Sequence, residues 1–261
     1  MEYKEDKIIF LGSGTSQGIP MIGCRCSVCT SNDSRDKRLR SALFIEYKGV
    51  KFVIDTGPDF RYQMLRENIT DIDAILFTHS HKDHIAGLDD VRAYNYILKR
   101  GIDIYAEKHT LDVIKSEFHY AFDEIRYPGV PEIIAHTIDT TPFYIKGVKI
   151  IPLRGIHYKM PVLGFRIGDV SYITDMNHID VSEIEKMKGS KILIIDALRR
   201  ERHISHFTLN EAIEISKQVA APKTYLTHMS HQLGLYQDLI KELPSGIEPS
   251  YDRQIISLNS L

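Results

Sequence analysis

Four side chains of types that can bind metal ions, His79, His81, Asp83 and His84, fall within six residues at the end of the run Ala-Ile-Leu-Phe-Thr-His-Ser-His-Lys-Asp-His, which starts at Ala74. Neutral imidazole nitrogens and carboxylate oxygens are the ligands that zinc, manganese and iron accept. Alternation along an extended segment sends His79 and His81 to the same side. A turn into helix at Asp83 brings that carboxylate and His84 toward a neighbouring point. A polar surface loop gives no reason for this spacing directly behind a buried strand.

A second constellation is Cys24, Cys26 and Cys29, the only cysteines in the chain. An odd, clustered set argues against a disulfide framework. Three thiols at Cys-x-Cys-x-x-Cys spacing can wrap one tetrahedral ion, but a closed structural zinc site needs a fourth ligand from elsewhere, and a histidine is the natural candidate. Three further polar residues, His157, Asp175 and His228, each stand just after an apolar strand pattern, as the first cluster does. The loop Gly12-Ser13-Gly14-Thr15-Ser16-Gln17-Gly18 lacks the ending of a P-loop and the spacing of a dinucleotide fold. It reads equally as a tight turn or as a phosphate contact.

The elements that must carry these residues alternate along the chain. Strand patterns lie at 7–11, 42–47, 51–54, 74–77, 102–106, 148–153, 162–167, 170–174, 192–195 and 224–227, and helical patterns at 59–67, 86–98, 110–118, 182–187 and 208–219. Ser182 with Glu185 and Thr208 with Glu211 both read as capping boxes. Residues 119–141 look irregular. Asp55 closes a strand as Asp-Thr-Gly and is placed to accept N–H bonds from the histidine loop. No linker or low-complexity tract divides the chain, so the alternation favours one layered α/β domain over residues 1–261.

Composition narrows the class. The chain has 261 residues, 43% hydrophobic and 26% charged, enough to bury a sizeable core. A net charge of −2 offers no bulk footprint for nucleic acid. The polar start lacks an apolar signal core, and no apolar run is long enough to span a membrane, so a cytoplasmic protein is expected. Oligomeric state stays open, a homodimer included.

The motif His-x-His-x-Asp-His resembles the signature of the metallo-β-lactamase superfamily, and the resemblance covers nearly the whole chain. It implies a four-layer αβ/βα sandwich and two active-site divalent metals, zinc or manganese, with iron also fitting the ligands. His79, His81 and His157 would hold the first metal, Asp83, His84 and His228 the second, with Asp175 bridging them. His231 cannot easily join His228 on one metal, and it completes a Cys3His structural zinc site with Cys24, Cys26 and Cys29. The cysteine triad, Thr227-His228-Met229-Ser230-His231, the opening Phe10 to Pro20, His206-Phe207-Thr208-Leu209-Asn210 and Leu243-Pro244-Ser245-Gly246 are similar to the phosphoribosyl 1,2-cyclic phosphate phosphodiesterase branch.

That branch implies hydrolysis of a small cyclic phosphodiester by hydroxide generated between two cations, with His206 protonating the leaving oxygen as an imidazolium. His203 competes for that role from a weaker motif position. The stretch Asp196 to Arg202 has no close counterpart in the branch, so phosphate contacts by Arg199, Arg200 or Arg202 compete with a solvated basic turn. Rival readings are a quinone-cofactor-biosynthesis protein, a tRNA 3′-processing nuclease and a non-catalytic module. The intact ligand set ranks the last of these lowest.

Overall fold

The computed structural model describes residues 6–123 and 127–259. The first half builds strands β1 (Lys7–Gly12), β2 (Ala42–Tyr47), β3 (Val50–Ile54), β4 (Ala74–Leu76), β5 (Ile102–Glu107) and β6 (Ile133–Ile138). The second builds β7 (Phe143–Ile145), β8 (Val148–His157), β9 (Met160–Ile167), β10 (Val170–Ile173), β11 (His178–Ile179), β12 (Ile192–Asp196), β13 (Lys223–Thr227), β14 (Ile247–Pro249) and β15 (Ile255–Ser257). One sheet has the order β15-β1-β2-β3-β4-β5-β6, the other β11-β8-β9-β10-β12-β13-β14, with β7 on β8.

Strand periodicity explains why two sheets stack. Along β1, Ile8 and Phe10 pack between the sheets with Leu43, Phe52, Phe165 and Tyr172, while Ile9 and Leu11 face the other way, toward Phe60, Met64 and Leu88. On the second sheet Ile192 and Ile194 join the inter-sheet core, whereas Leu193 and Ile195 meet Ile184, Ala212 and Ile215. Each strand buried on both faces thus feeds two apolar layers. Three layers result, each full burial of a large apolar side chain being worth roughly 1.5–3 kcal/mol. Helices α1 (Phe60–Arg66), α2 (Lys82–Ile85), α3 (Arg92–Leu98), α4 (Lys108–Glu117) and α5 (His119–Phe122) belong to the first half. In the second half stand α6 (Val181–Met187), α7 (Leu209–Val219) and α8 (Tyr236–Glu242). The expected αβ/βα sandwich is what forms. Among the described residues no helix is long and apolar enough to cross a membrane.

Three local readings are corrected. The Thr208–Glu211 capping box is present, but α6 starts at Val181 behind Asp180, with no side-chain cap from Ser182. Its glutamates are engaged elsewhere: Glu183 accepts from the Arg154 N–H and Lys186, and Glu185 pairs with Lys188. The stretch 119–141 contains α5 and β6, an edge strand whose half-exposed face breaks the apolar pattern. The helix expected at 86–98 is divided, a 3-10 turn at Leu88–Val91 preceding α3.

Candidate active site

Parallel strands bring the polar strand ends to one edge. β3 runs parallel to β4, and β10, β12 and β13 are mutually parallel. β8 is antiparallel to β9, which is antiparallel to β10, so β8 also points that way. Asp55, His79, His157, Asp175, Asp196 and His228 therefore all stand at C-terminal strand ends, where ligand sites form in layered sheets. A backbone bond from Leu163 N–H to Thr78 C=O (3.0 Å) ties the two sheets together here.

Backbone geometry aims the side chains. Asp55, Asp175 and His228 have φ of +64°, +55° and +52°, left-handed conformations that are uncommon outside glycine. Each strand thus turns sharply at the residue that carries the functional group. Gly57 serves a different need: a Cβ there would lie 2.1 Å from the Asp83 carbonyl oxygen, so only glycine lets the Asp-Thr-Gly turn pack on α2.

The sequence-predicted residues assemble into two adjoining groups, His79, His81 and His157 in one, and Asp83, His84, Asp175 and His228 in the other; candidate ligand atoms within each lie within 4.8 Å of one another. Asp175 faces both. Its Oδ1 lies 3.4 Å from His84 Nε2 and 3.2 Å from His228 Nε2, while Oδ2 lies 3.9 Å from His79 Nε2. Burial pushes the Asp175 carboxyl up, but His228, His84 and His206 outweigh it and hold it well below the usual carboxylate range.

Hydrogen bonds fix three imidazoles with a bare Nε2. His84 Nδ1 donates to Asp55 Oδ2 (2.7 Å), and His157 Nδ1 donates to the Ser205 carbonyl (2.7 Å). Thr78 donates its single hydroxyl proton to Asp55 (2.8 Å), so it must accept from His79 Nδ1 (3.0 Å). Asp55, buried and held by the Thr78 N–H as well, is thus the hub orienting two histidines. The buried Nε2 atoms of His79, His84 and His228 have no hydrogen-bond partner. Bare, buried nitrogens converging with a carboxylate fit divalent cations.

His206 also reaches this edge. Its Nδ1 lies 3.9 Å from Asp175 Oδ2 and 3.6 Å from Asp196 Oδ2, leaving Nε2 on the opposite side of the ring. Burial lowers His206 to about 4, against the pull of Asp175, so a free imidazolium is disfavoured. Asp196, buried at the end of β12, is pushed well above the usual range by burial and by the Asp175 charge. Asp196 was missed by sequence reading, which saw it only as the end of an apolar run. His203 lines the same two cavities as His206, but its Nδ1 is taken up with Ser205 (3.3 Å).

The second constellation also assembles. Cys24 Sγ and Cys26 Sγ each lie 3.3 Å from His231 Nδ1, and Cys29 completes a group whose ligand atoms lie within 4.8 Å of one another. The Cys29 N–H facing its sulfur helps lower the Cys26 thiol to about 6, favouring thiolate, whereas burial raises Cys29 to about 11. Three sulfurs and one imidazole fit a tetrahedral zinc.

With fold and geometry in place, comparison with known proteins identifies the class. Residues 51–229 match the family described as "Beta-lactamase superfamily domain", and the chain belongs to that family. It has the metallo-β-lactamase fold, and that fold implies divalent metals. Within the superfamily it stands near a crystal structure described as a new diphosphatase from the PhnP family, at 38% identity and TM-score 0.91 over 97% of this chain and 98% of that one. Zinc-bound PqqB from Methylobacterium extorquens shares the fold at 17% identity and TM-score 0.76, over 97% of this chain and 100% of that one. An octanoyltransferase of Porphyromonas gingivalis is 41% identical over 94% of this chain. The chain spans 50% of that relative's length.

Proposed function

We propose that this protein hydrolyses a small phosphodiester, a cyclic one such as 5-phosphoribosyl 1,2-cyclic phosphate, with two divalent cations. His79, His81 and His157 would hold one cation and Asp83, His84 and His228 the other. Asp175 would serve both. The observation that carries this reading is that the two oxygens of Asp175 face different histidine groups. Similarity to a PhnP-family diphosphatase supports phosphoryl chemistry. A structural zinc on Cys24, Cys26, Cys29 and His231 belongs to the same proposal.

Cations bound in such a pair lower the pKa of water and neutralise charge on a phosphoryl group. The chain's own contribution is orientation and proton transfer. Asp55 holds the Nδ1 edge of His84 and, through Thr78, that of His79, so that each Nε2 faces the ligand group, and the Ser205 carbonyl does so for His157. His206 turns Nδ1 toward the buried Asp196 and presents Nε2 to the substrate side, where it donates a proton to the leaving oxygen. The depressed His206 pKa makes the proton a shared property of the His206–Asp196 pair rather than of a free imidazolium.

A diphosphate is the second reading, favoured by what the PhnP-family neighbour is said to cleave. Octanoyl transfer is said of a protein twice this length, and the matched half need not house it. A screen of cyclic phosphodiesters, acyclic diesters and diphosphates against zinc- and manganese-loaded protein tests the proposal. Turnover of a cyclic diester is expected. Activity on diphosphates alone would transfer the reading to the second class, and no phosphoryl turnover at all would end both.

A further inference from the structure

A wide cavity opens beside the first histidine group, on a wall that His206 does not share. Two cavities of about 380 Å³ each include His206. A third, about 720 Å³, includes His81 and His157 instead, with Tyr158, Lys159, Met160 and Ile204 around them. That volume lies in the range of small-molecule sites. His81 is the exposed member of its ligand group, so this cavity leads from solvent to the ligand atoms.

The wall combines apolar surface with positive charge. Tyr158 is 51% exposed and Ile204 64% exposed, large apolar groups left facing water at the edge of the site. No carboxylate lines the cavity, and Lys159 stands there among imidazoles. Lys159 Nζ lies 5.2 Å from the centroid of the Tyr158 ring, within range of a cation–π contact. An anion that carries a flat apolar group matches both properties.

The backbone gives Tyr158 a purpose beyond the turn. His157 pairs with Met160 across the β8–β9 hairpin, which leaves Tyr158 and Lys159 as a two-residue connection. Turns of this length use φ > 0 and favour glycine, asparagine or aspartate. Tyr158 instead holds φ of +59° with a bulky side chain, the kind of local strain that collects at ligand sites. Its N–H donates to Asn177 Oδ1 (2.6 Å), two residues beyond Asp175, so the hairpin tip is braced against the turn that carries the central aspartate.

We infer that this cavity is a subsite for an aromatic group on the retained ester oxygen of an acyclic phosphodiester, with the Tyr158 ring as its platform. This rests on the phosphoryl-hydrolase reading and extends it to a further substrate class, because a cyclic diester ties both ester oxygens to one sugar. His206 lines the other two cavities and not this one, which gives the leaving group and the retained group separate walls. The step is hydrolysis: a water oxygen bonds to phosphorus, the bond to the leaving oxygen breaks, and an aryl phosphomonoester remains.

The test compares phenyl 4-nitrophenyl phosphate with methyl 4-nitrophenyl phosphate on zinc-loaded protein. Both release 4-nitrophenolate, so only the retained group differs. With each kcat/KM divided by the rate of the same ester with hydroxide in solution, wild type is expected to favour the phenyl ester by about tenfold, the worth of one aromatic contact. Tyr158→Phe should keep that ratio. Tyr158→Asn, which tolerates the left-handed turn, should bring it close to one. If Tyr158 serves only the turn, the asparagine variant slows both esters alike and keeps the ratio, which overturns the subsite. A corrected ratio of one in wild type also overturns it, with the phosphodiesterase reading untouched. If neither ester turns over, that reading fails, and binding decides the subsite by itself. The chain has no tryptophan, so Tyr158→Trp places a single reporter on the cavity wall. Saturable quenching of its fluorescence by 4-nitrophenylphosphonate keeps the aromatic subsite, and quenching that only rises in proportion to concentration ends it.

Discussion

The Asp196 carboxyl lies 3.6 Å from Nδ1 of His206, and both side chains are buried. Asp196 is held by the N–H groups of Met176 (3.4 Å) and Phe207 (3.3 Å), so its position is set by backbone on two sides. The pair gives His206 a fixed face toward substrate. If His206 donates a proton, His206→Ala lowers kcat by roughly 10²–10⁴-fold on a diester with an alkoxide leaving group. The loss shrinks on a 4-nitrophenyl ester, whose leaving group needs no proton. Asp196→Asn should reduce kcat with little change in KM. Equal losses on both esters would show that His206 holds structure rather than a proton.

Asp175 can be tested without disturbing its backbone. Its φ of +55° is tolerated by asparagine far better than by alanine. Asp175→Asn keeps the turn but removes one of the two anionic oxygens. Active-site metal per chain, measured by elemental analysis, should fall while the thermal unfolding curve keeps its cooperative shape. Full retention of both metals would remove Asp175 from the bridging position.

Asp55 touches no cation in this scheme and acts through His79 and His84. Asp55→Asn retains the left-handed turn but weakens the orientation of both rings. Active-site metal affinity is expected to fall about 10–100-fold, read as competition with a chelator. Unchanged affinity would leave Asp55 a structural residue only.

Cys26→Ser separates the two metal environments. One zinc per chain should be lost, with the histidine-site metals retained and the unfolding temperature lowered, because metal binding by such a cluster contributes directly to folding. Loss of all metals together would mean that the sites are not independent.

Asp252 supplies a pH signature away from the metal residues. Burial raises its carboxyl from an ordinary 3.8 to about 6, although the Leu39 N–H, Arg66 and Ser13 oppose the rise. The folded state thus holds this proton more tightly than the unfolded chain. Its contribution to stability is complete below about pH 3.8 and is lost as pH rises through about 6. The stability of wild type minus that of Asp252→Asn should therefore fall between about pH 4 and about pH 7, by on the order of 3 kcal/mol. Denaturant melts at several pH values measure it, and a flat difference would contradict the buried-carboxyl account.

What the sequence determined by itself was the candidate ligand residues and the class of fold. The capacity to bind a metal is a property of residue type, and His79 to His84, His157, Asp175 and His228 follow short apolar runs that read as buried strands. The αβ/βα sandwich was legible for the same reason, since strand and helix periodicities are local. Edge strand β6 escaped because one face is solvated, and the Ser182 box failed because Glu185 pairs with Lys188 instead of reaching back to the helix start. The tertiary structure alone decided that Arg199 and Arg202 line cavities beside His206 while Arg200 is tied to Glu242, and which aspartate stands behind His206. It alone showed that Asp55 orients His84 directly and His79 through Thr78. Those facts depend on distances between segments remote in sequence and on left-handed turns at Asp55, Asp175 and His228 that aim the side chains, and neither is written in residue order.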